Sequence, residues 1–390
     1  MTVVLPSAPP GTAAARQRLA SIDMVRGAVM VLMAIDHVRV YSGIPAGGPT
    51  AGIFFTRWIT HFCAPAFVFL AGTSAYLHGR ALGTQLLARY LVTRGVVLIL
   101  LELTVIRASW TFGVDYSQFI LAGVIWMLGW CMILLAGLIW LPTRVIGAFG
   151  LIVIFAQNVI GIVANAMPES TGWFWQFLYL GGEVQLGQNG PTVSVLYSIV
   201  PWMGVMAAGY AFGAVMTREP DERRRLCLRI GLSATALFLV LGSVVVYLNP
   251  APANAPPALF RLLNQNKYPA SQLFLLMTLG PTIALLPLAE RARGWFADML
   301  ATFGRVPMFY YLLHIPVIHA AALVVTFMRE GSLHPERYAF APYASVPPEH
   351  RWSLPLLYVV FVIVIGALYV PCRWFAAVKA RRREGWLRYL

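Results

Sequence analysis

Histidines, arginines and carboxylates occur in this chain where a hydrocarbon-soluble segment would have none. Residues 21–43 (SIDMVRGAVMVLMAIDHVRVYSG) are apolar enough to span a bilayer, yet they carry Asp23, Arg26, Asp36, His37 and Arg39. Ionisable groups inside a spanning helix are expensive and are rarely retained without a function. Arg26 and His37 are eleven residues apart, close to three helical turns. Both therefore project from one face, about 16 Å apart along the axis. Other apolar stretches add Arg57 with His61, Glu102 with Arg107, and His314 with His319. An imidazole beside a carboxylate in a low-dielectric site serves as a general base near neutral pH. With donors for an oxyanion and cations for phosphates, the same set suits acyl transfer from a thioester. A proton or ion relay uses the same groups, so residue types alone leave both chemistries open.

The elements that position these groups follow from composition. The chain has 390 residues, 59% hydrophobic and 11% charged, with a mean hydropathy of +0.71. That is under half the roughly 25% charged content of a soluble domain. The apolar residues come in blocks of about twenty, the length that crosses the hydrocarbon core. The reading is an all-α, polytopic integral membrane helix bundle of about ten spans. They fall near 22–43, 54–77, 91–112, 118–141, 144–165, 192–216, 226–248, 269–289, 305–328 and 353–376. Residues 1–20 read as a disordered arm without a cleavable signal, 21–376 as one membrane domain, and 377–390 as a basic tail. No internal repeat stands out. Cys63, Cys131, Cys227 and Cys372 lie singly in apolar segments, with no metal or redox spacing, and read as packing residues.

The net charge of +14 does not point to nucleic acid, because its distribution is that of a membrane protein. Arginines cluster in alternate short connections (Arg80 and Arg89; Arg144; Arg218 and Arg223–Arg225; Arg291 and Arg293) and in the tail. The opposite connections are poor in charge: 44–53 has none and 166–191 has only Glu169 and Glu183. The positive-inside rule puts both termini in the cytoplasm. Asp36, His37, Arg57, His61, Glu102, Arg107, His314 and His319 then share the central and outer part of the bilayer. Arg26, Arg94 and Arg305 lie near the inner surface. Longer outer loops rich in Trp, Tyr, Gly and Pro cap the outer side. Arg39 reads as a residue snorkelling to the outer headgroups. Asp23 and Arg26, three residues apart, read equally as an ion pair at the helix start or as a ligand contact.

The segments RLASIDMVRGAVMVLMAIDH and FFTRWITHFCAPAFVFLAGTSAYLHGR resemble the opening of the bacterial branch of the heparan-alpha-glucosaminide N-acetyltransferase catalytic-domain family. The later YSIVPWMGVMAAGYAFG, FGRVPMFYYLLHIPVIH and LYVPCRWFAAVKARR are similar to that branch as well. The Arg26-to-His37 spacing is also similar to the first-helix signature of membrane acyltransferase family 3. The resemblance implies a ten-helix core that moves an acyl group from cytoplasmic acyl-CoA to an acceptor across the membrane. It implies Arg26 as the donor-binding arginine and His37 as the catalytic histidine, and it matches His314 to a late-helix histidine of the sugar acetyltransferases. Two departures stand out: 44–53 holds no histidine, and His61 stands where eukaryotic members have an aspartate. An aminosugar acceptor is therefore not implied.

The expectation is an acetyl-CoA-dependent transmembrane acetyltransferase of the bacterial inner membrane. His37 would be base or acyl carrier, tuned or oriented by Asp36, with His314 and His61 at the acceptor and Glu102 polarising one of them. Arg26, Arg305 and Arg94 would hold the CoA phosphates. Arg57, Arg107, Tyr311 and His319 would contact the acceptor, an envelope sugar hydroxyl or amine. Lipids surround the chain, no metal is required, and a homodimer is admitted. The rival reading is a transporter or export component for a small acidic or lipid-linked solute. A scaffold whose polar groups are merely paired is the weaker rival.

Overall fold

The computed structural model describes residues 11–47, 50–252 and 255–381, with backbone only for 11–19. Helix accounts for 77% of the structure. The long first helix, α1 (Gly11–Ser42), begins eleven residues before the expected span. Residues 1–10 of the expected arm, and 382–390 of the basic tail, lie outside the described residues. One face of α1 (Met30, Ala34, Val38 and Tyr41, spaced four, four and three apart) is completely buried. That is the stripe a helix offers to a core.

A second span is made of α2 (Ala51–Trp58), a 3₁₀ turn (Ile59–Phe62) and α3 (Cys63–Leu82). Next come α4 (Thr84–Leu101), a π-helical turn over Glu102–Ile106, and α5 (Arg107–Thr111). Strand β1 (Phe119–Ala122) leads into α6 (Val124–Leu138). Helices α7 (Thr143–Phe155) and α8 (Gln157–Ala166) meet at a 63° bend, and α9 (Gly172–Trp175) is a single turn. Strands β2 (Gly182–Gln185) and β3 (Thr192–Val195) precede α10 (Val200–Met216). The chain continues through α11 (Pro220–Leu248), α12 (Ala258–Leu263) and α13 (Gln272–Arg291). It closes with α14 (Trp295–Arg305), α15 (Pro307–Glu330) and α16 (Leu354–Arg381).

Two features depart from an all-α bundle of ten uniform spans. The apolar stretches 118–141 and 192–216 begin as strands, and β1 pairs parallel with β3 while β2 flanks β3 antiparallel. Phe119–Ala122 and the β-branched Thr192–Val193 suit an extended, half-buried ladder, which leaves α6 and α10 only 15 and 17 residues long. Among the described residues five helical segments are long and apolar enough to cross a membrane: Ala51–Leu82, α11, α13, α15 and α16. The bent pair α7–α8 makes six. With only 17% of its apolar window buried, α11 turns Leu237, Val240, Val244 and Leu248 outward, as a lipid-facing helix must.

Helix α1 is the hub, packed by α14, α13, α15, α16 and α3, while α10 lies against α3 and α7, and α4 against α6. Two glycines allow the closest of these approaches. A Cβ on Gly27 would stand 1.8 Å from the Leu300 carbonyl oxygen, and one on Gly304 would stand 1.7 Å from that of Asp23. Backbone contact at this range is how small residues join helices where lipid provides no hydrophobic drive. It fixes α14 against the charged turn of α1.

Candidate active site

A cavity of about 900 Å³ runs along α1, touching it at Ile22, Asp23 and Arg26 and again at Asp36, His37, Arg39 and Val40. From Asp23 to Val40 the helix rises about 26 Å, close to the thickness of a hydrocarbon core. The cavity has two polar ends and an apolar waist lined by Met33, Ala64, Val68, Leu98, Leu128 and Met308.

At one end Arg26 is held from three directions. Its Nη1 donates to Asp23 Oδ1 at 3.0 Å and to the Gly304 carbonyl at 3.2 Å, and its Nη2 donates to Ser74 Oγ at 2.8 Å. The guanidinium fork is thus oriented by α1, α14 and α3 together. Arg80, Arg94, Arg305 and Lys379 line the same end, with Asp23 as the one carboxylate among its described lining residues. Such an excess of cations favours an anion, and Arg94 Nη1 is itself steadied on Tyr90 Oη at 2.9 Å.

The other end centres on two histidines. His37 Nδ1 and His314 Nε2 are 2.8 Å apart, and His314 Nδ1 lies 2.6 Å from the Tyr311 carbonyl. A carbonyl only accepts, so His314 carries its proton on Nδ1, and its Nε2 accepts from His37 Nδ1. His37 Nε2 is then the unprotonated nitrogen of a ring that lines the cavity. His314 is completely buried, stacked near Tyr310, while the edge of Trp110 fixes the His37 ring at 4.8 Å. The polarity runs one way, from the cavity through His37 and His314 to the Tyr311 carbonyl. A proton arriving at His37 Nε2 leaves a cation whose Nδ1–H is already hydrogen-bonded.

Asp36 does not orient His37. Its Oδ1 accepts from Arg39 Nε at 2.9 Å and its Oδ2 from Arg57 Nη1 at 3.3 Å. Arg39 does not reach for headgroups; it is 8% exposed and also donates to the Ile44 carbonyl at 2.8 Å. Glu102 does not polarise a histidine either. Its Oε2 accepts the backbone N–H groups of Ile125 (2.8 Å) and Trp126 (3.2 Å), capping the first turn of α6, whose dipole favours a carboxylate there.

Three further expected residues stand away from the cavity lining. His61 packs edge-on against Phe274 at 5.5 Å, and its Nδ1 has no hydrogen-bond partner among the described residues. The 3₁₀ turn explains this: at three residues per turn, positions four apart no longer share a face, so Arg57 lines the cavity and His61 does not. Arg107 ties down the following loop, donating to the Phe119 and Gly113 carbonyls at 3.1 and 2.8 Å and also to that of Asp115. His319 is stacked between Phe112 and Tyr41 at 3.8 and 4.8 Å. Of the expected acceptor contacts, Arg57 and Tyr311 line the cavity.

The structure adds lining residues that sequence reasoning passed over: Ser74, Arg80 and Lys379 at the arginine end, and Tyr197, Lys267, Tyr268 and Tyr343 beyond the histidines. One signal was present. The chain has only two lysines, Lys267 and Lys379, and both line this cavity, one at each end.

A helical integral membrane protein with this cavity is the class that fold and site define. The catalytic-domain model of heparan-alpha-glucosaminide N-acetyltransferase matches residues 18–252, and the chain belongs to that family. It is a membrane acetyltransferase by that membership, which lends no support to the transporter reading. No curated protein matches the chain. The matched span contains Arg26, Asp36, His37, Arg57, Arg94 and Glu102, whereas Lys267, Arg305, Tyr311, His314 and Lys379 come from beyond it.

Proposed function

We propose that this chain is a ten-span acetyltransferase of a bacterial cytoplasmic membrane, with both termini inside. It takes the acetyl group of cytoplasmic acetyl-CoA and delivers it to a sugar-type hydroxyl or amine on the outer side. The observation that carries this reading is the single cavity joining a cationic end at Arg26 to the His37–His314 pair about three helical turns away. The arginine end faces the cytoplasm, where Arg26, Arg94 and Arg305 hold the phosphates of the donor. The apolar waist takes its extended thioester arm and keeps water from the acyl group.

His37 acts as the general base. Its Nε2 takes the proton of the acceptor hydroxyl or amine as the acceptor oxygen or nitrogen bonds to the thioester carbonyl carbon. His314 Nε2 stabilises the resulting imidazolium through His37 Nδ1–H. The carbon–sulfur bond then breaks, and the imidazolium returns its proton to the thiolate. The products are the acetylated acceptor and CoA-SH. Tyr311 and Arg57 border the space the acceptor occupies.

The test is vectorial. Proteoliposomes carrying the protein in one orientation receive radiolabelled acetyl-CoA on the side that exposes the C-terminal tail and candidate acceptors on the other. The reading requires labelled acceptor to accumulate only on the acceptor side. Transfer confined to the donor side would overturn the orientation, and release of unmodified solute without thiol would overturn the enzyme.

A further inference from the structure

Beyond the histidine pair the cavity ends in a charged and aromatic chamber that the chemistry of transfer does not use. Lys267 borders it, in the turn that enters α13; its backbone bridges to Ala270, and Ser271 N–H donates to the Asn266 carbonyl at 2.9 Å. The residue is 8% exposed, yet among the described residues no carboxylate lies within ion-pair distance of its ammonium. Instead its side chain hydrogen-bonds to that of Tyr268, and Nζ lies against the rings of Tyr197 and Tyr268, at 5.5 and 5.1 Å from their centroids. The hydroxyl of Tyr268 donates to that of Tyr197 at 3.3 Å, and Tyr343 closes another side through its 2.8 Å contact with Ser194.

The carboxylates nearby are already committed. Asp36 is shared by Arg39 and Arg57, and Glu102 caps α6. Three cations, Arg39, Arg57 and Lys267, therefore share Asp36 in this half of the cavity, while Glu102 is bound to the α6 backbone. A buried ammonium without a counter-ion is costly, and one phenol hydroxyl with cation–π contact offsets only part of that cost. A structural role would give Lys267 an acidic partner or loop carbonyls. Its position at the cavity wall leaves the missing charge to a ligand.

We propose that the acetyl acceptor is an anionic sugar, its carboxylate or phosphate held by Lys267 beside Arg57 and its ring faces held by Tyr197, Tyr268 and Tyr343. This rests on the acetyltransferase reading of the cavity. Tyrosines suit such a ligand because each presents an apolar face and a polar tip. The acceptor nucleophile then approaches His37 while its charge stays with Lys267, so Lys267 selects the substrate without touching the reacting atoms.

The test uses the full-length protein in nanodiscs with acetyl-CoA and three acceptors: D-glucose, D-glucuronate and glucose 6-phosphate. The readout is the ratio of kcat/KM for each anionic sugar over glucose, followed by thiol release and by mass spectrometry of the product. The ratio for at least one anionic sugar should be about tenfold or more, the worth of a hydrogen bond to a charged group. Glucuronate and glucose 6-phosphate distinguish carboxylate from phosphate. Lys267→Met should bring that ratio towards one, whereas Lys267→Arg should keep most of it; a general loss of fold or chemistry lowers both terms and leaves the ratio intact. A wild-type preference for glucose, or an undiminished ratio in Lys267→Met, would overturn the proposal. If no sugar is turned over, thermal protection of the wild type by the anionic sugars over glucose, lost in Lys267→Met, decides in its favour, and equal protection decides against it. Absence of any thiol release by the wild type is a separate failure, that of the acetyltransferase reading.

Discussion

Replacing His314 by Phe keeps a buried aromatic ring but removes the nitrogen that accepts from His37 Nδ1. In the resting state this is a hydrogen bond between neutral groups, worth about 1 kcal/mol net, and a bond to a charged donor is worth roughly twice that or more. The difference applies only while His37 is protonated, in and around the transition state. His314 therefore contributes about 1–2 kcal/mol there, or about five- to thirtyfold in rate. Loss of ring alignment adds to this, up to a ceiling of about 10²–10⁴-fold for removing the base itself with His37→Ala. The expected result for His314→Phe is a fall in kcat of about ten- to a hundredfold, with the KM for acetyl-CoA unchanged because the proposed site for the donor's phosphates is at the opposite end. His314→Gln, whose amide oxygen can take the place of Nε2, should recover most of the loss. The assay is steady-state thiol release with acceptor present, with thermal unfolding as a control for the buried site. A kcat within twofold of wild type in a folded His314→Phe protein would refute the relay. So would a loss confined to KM.

Other expectations follow from the same contacts. Arg26→Lys should not rescue Arg26→Ala, because one ammonium cannot bridge Asp23, Gly304 and Ser74 as the guanidinium does; the KM for acetyl-CoA should rise in both, with little change for the phosphate-free donor S-acetyl-pantetheine. Asp36→Asn leaves Arg39 and Arg57 buried without a counter-ion and should cost about 3–5 kcal/mol of stability, read as a lower unfolding temperature in detergent. Gly304→Ala forces a Cβ into the Asp23 carbonyl and should destabilise by about 1–3 kcal/mol or more, whereas Gly366→Ala, with nothing within 4 Å, should not. Glu102→Gln keeps one oxygen that can accept both α6 N–H groups as Oε2 does and loses only the charge, so kcat should stay within a few-fold while stability falls by about 1 kcal/mol; a loss comparable to His37→Ala would return Glu102 to the chemistry.

The polar face of α1 was legible because charges in an apolar run have no neutral explanation, and helical spacing alone aligns Arg26 with His37. The meeting of His37 with His314 was legible as a shared depth, though not as a 2.8 Å contact. What the sequence hid were the partners. Asp36 beside His37 suggests a dyad, but adjacent residues on a helix point about 100° apart, and its carboxylate turns to Arg39 on the next turn and to Arg57 on α2. Arg57 and His61 look like one face until a 3₁₀ turn rotates them apart. The strands inside two apolar stretches were masked because β-branched and apolar residues serve a buried strand as well as a membrane helix. Lys267 sits in a loop whose composition says only turn; its burial arises from tyrosines on β3–α10 and its own turn converging in space.

The most direct measurement is thiol release from acetyl-CoA by the purified full-length protein in nanodiscs, run beside Arg26→Ala and His37→Ala. The account predicts turnover by the wild type. It predicts loss in His37→Ala at every donor concentration, and loss in Arg26→Ala that high donor concentration partly restores. Equal thiol release by wild type and His37→Ala would contradict it.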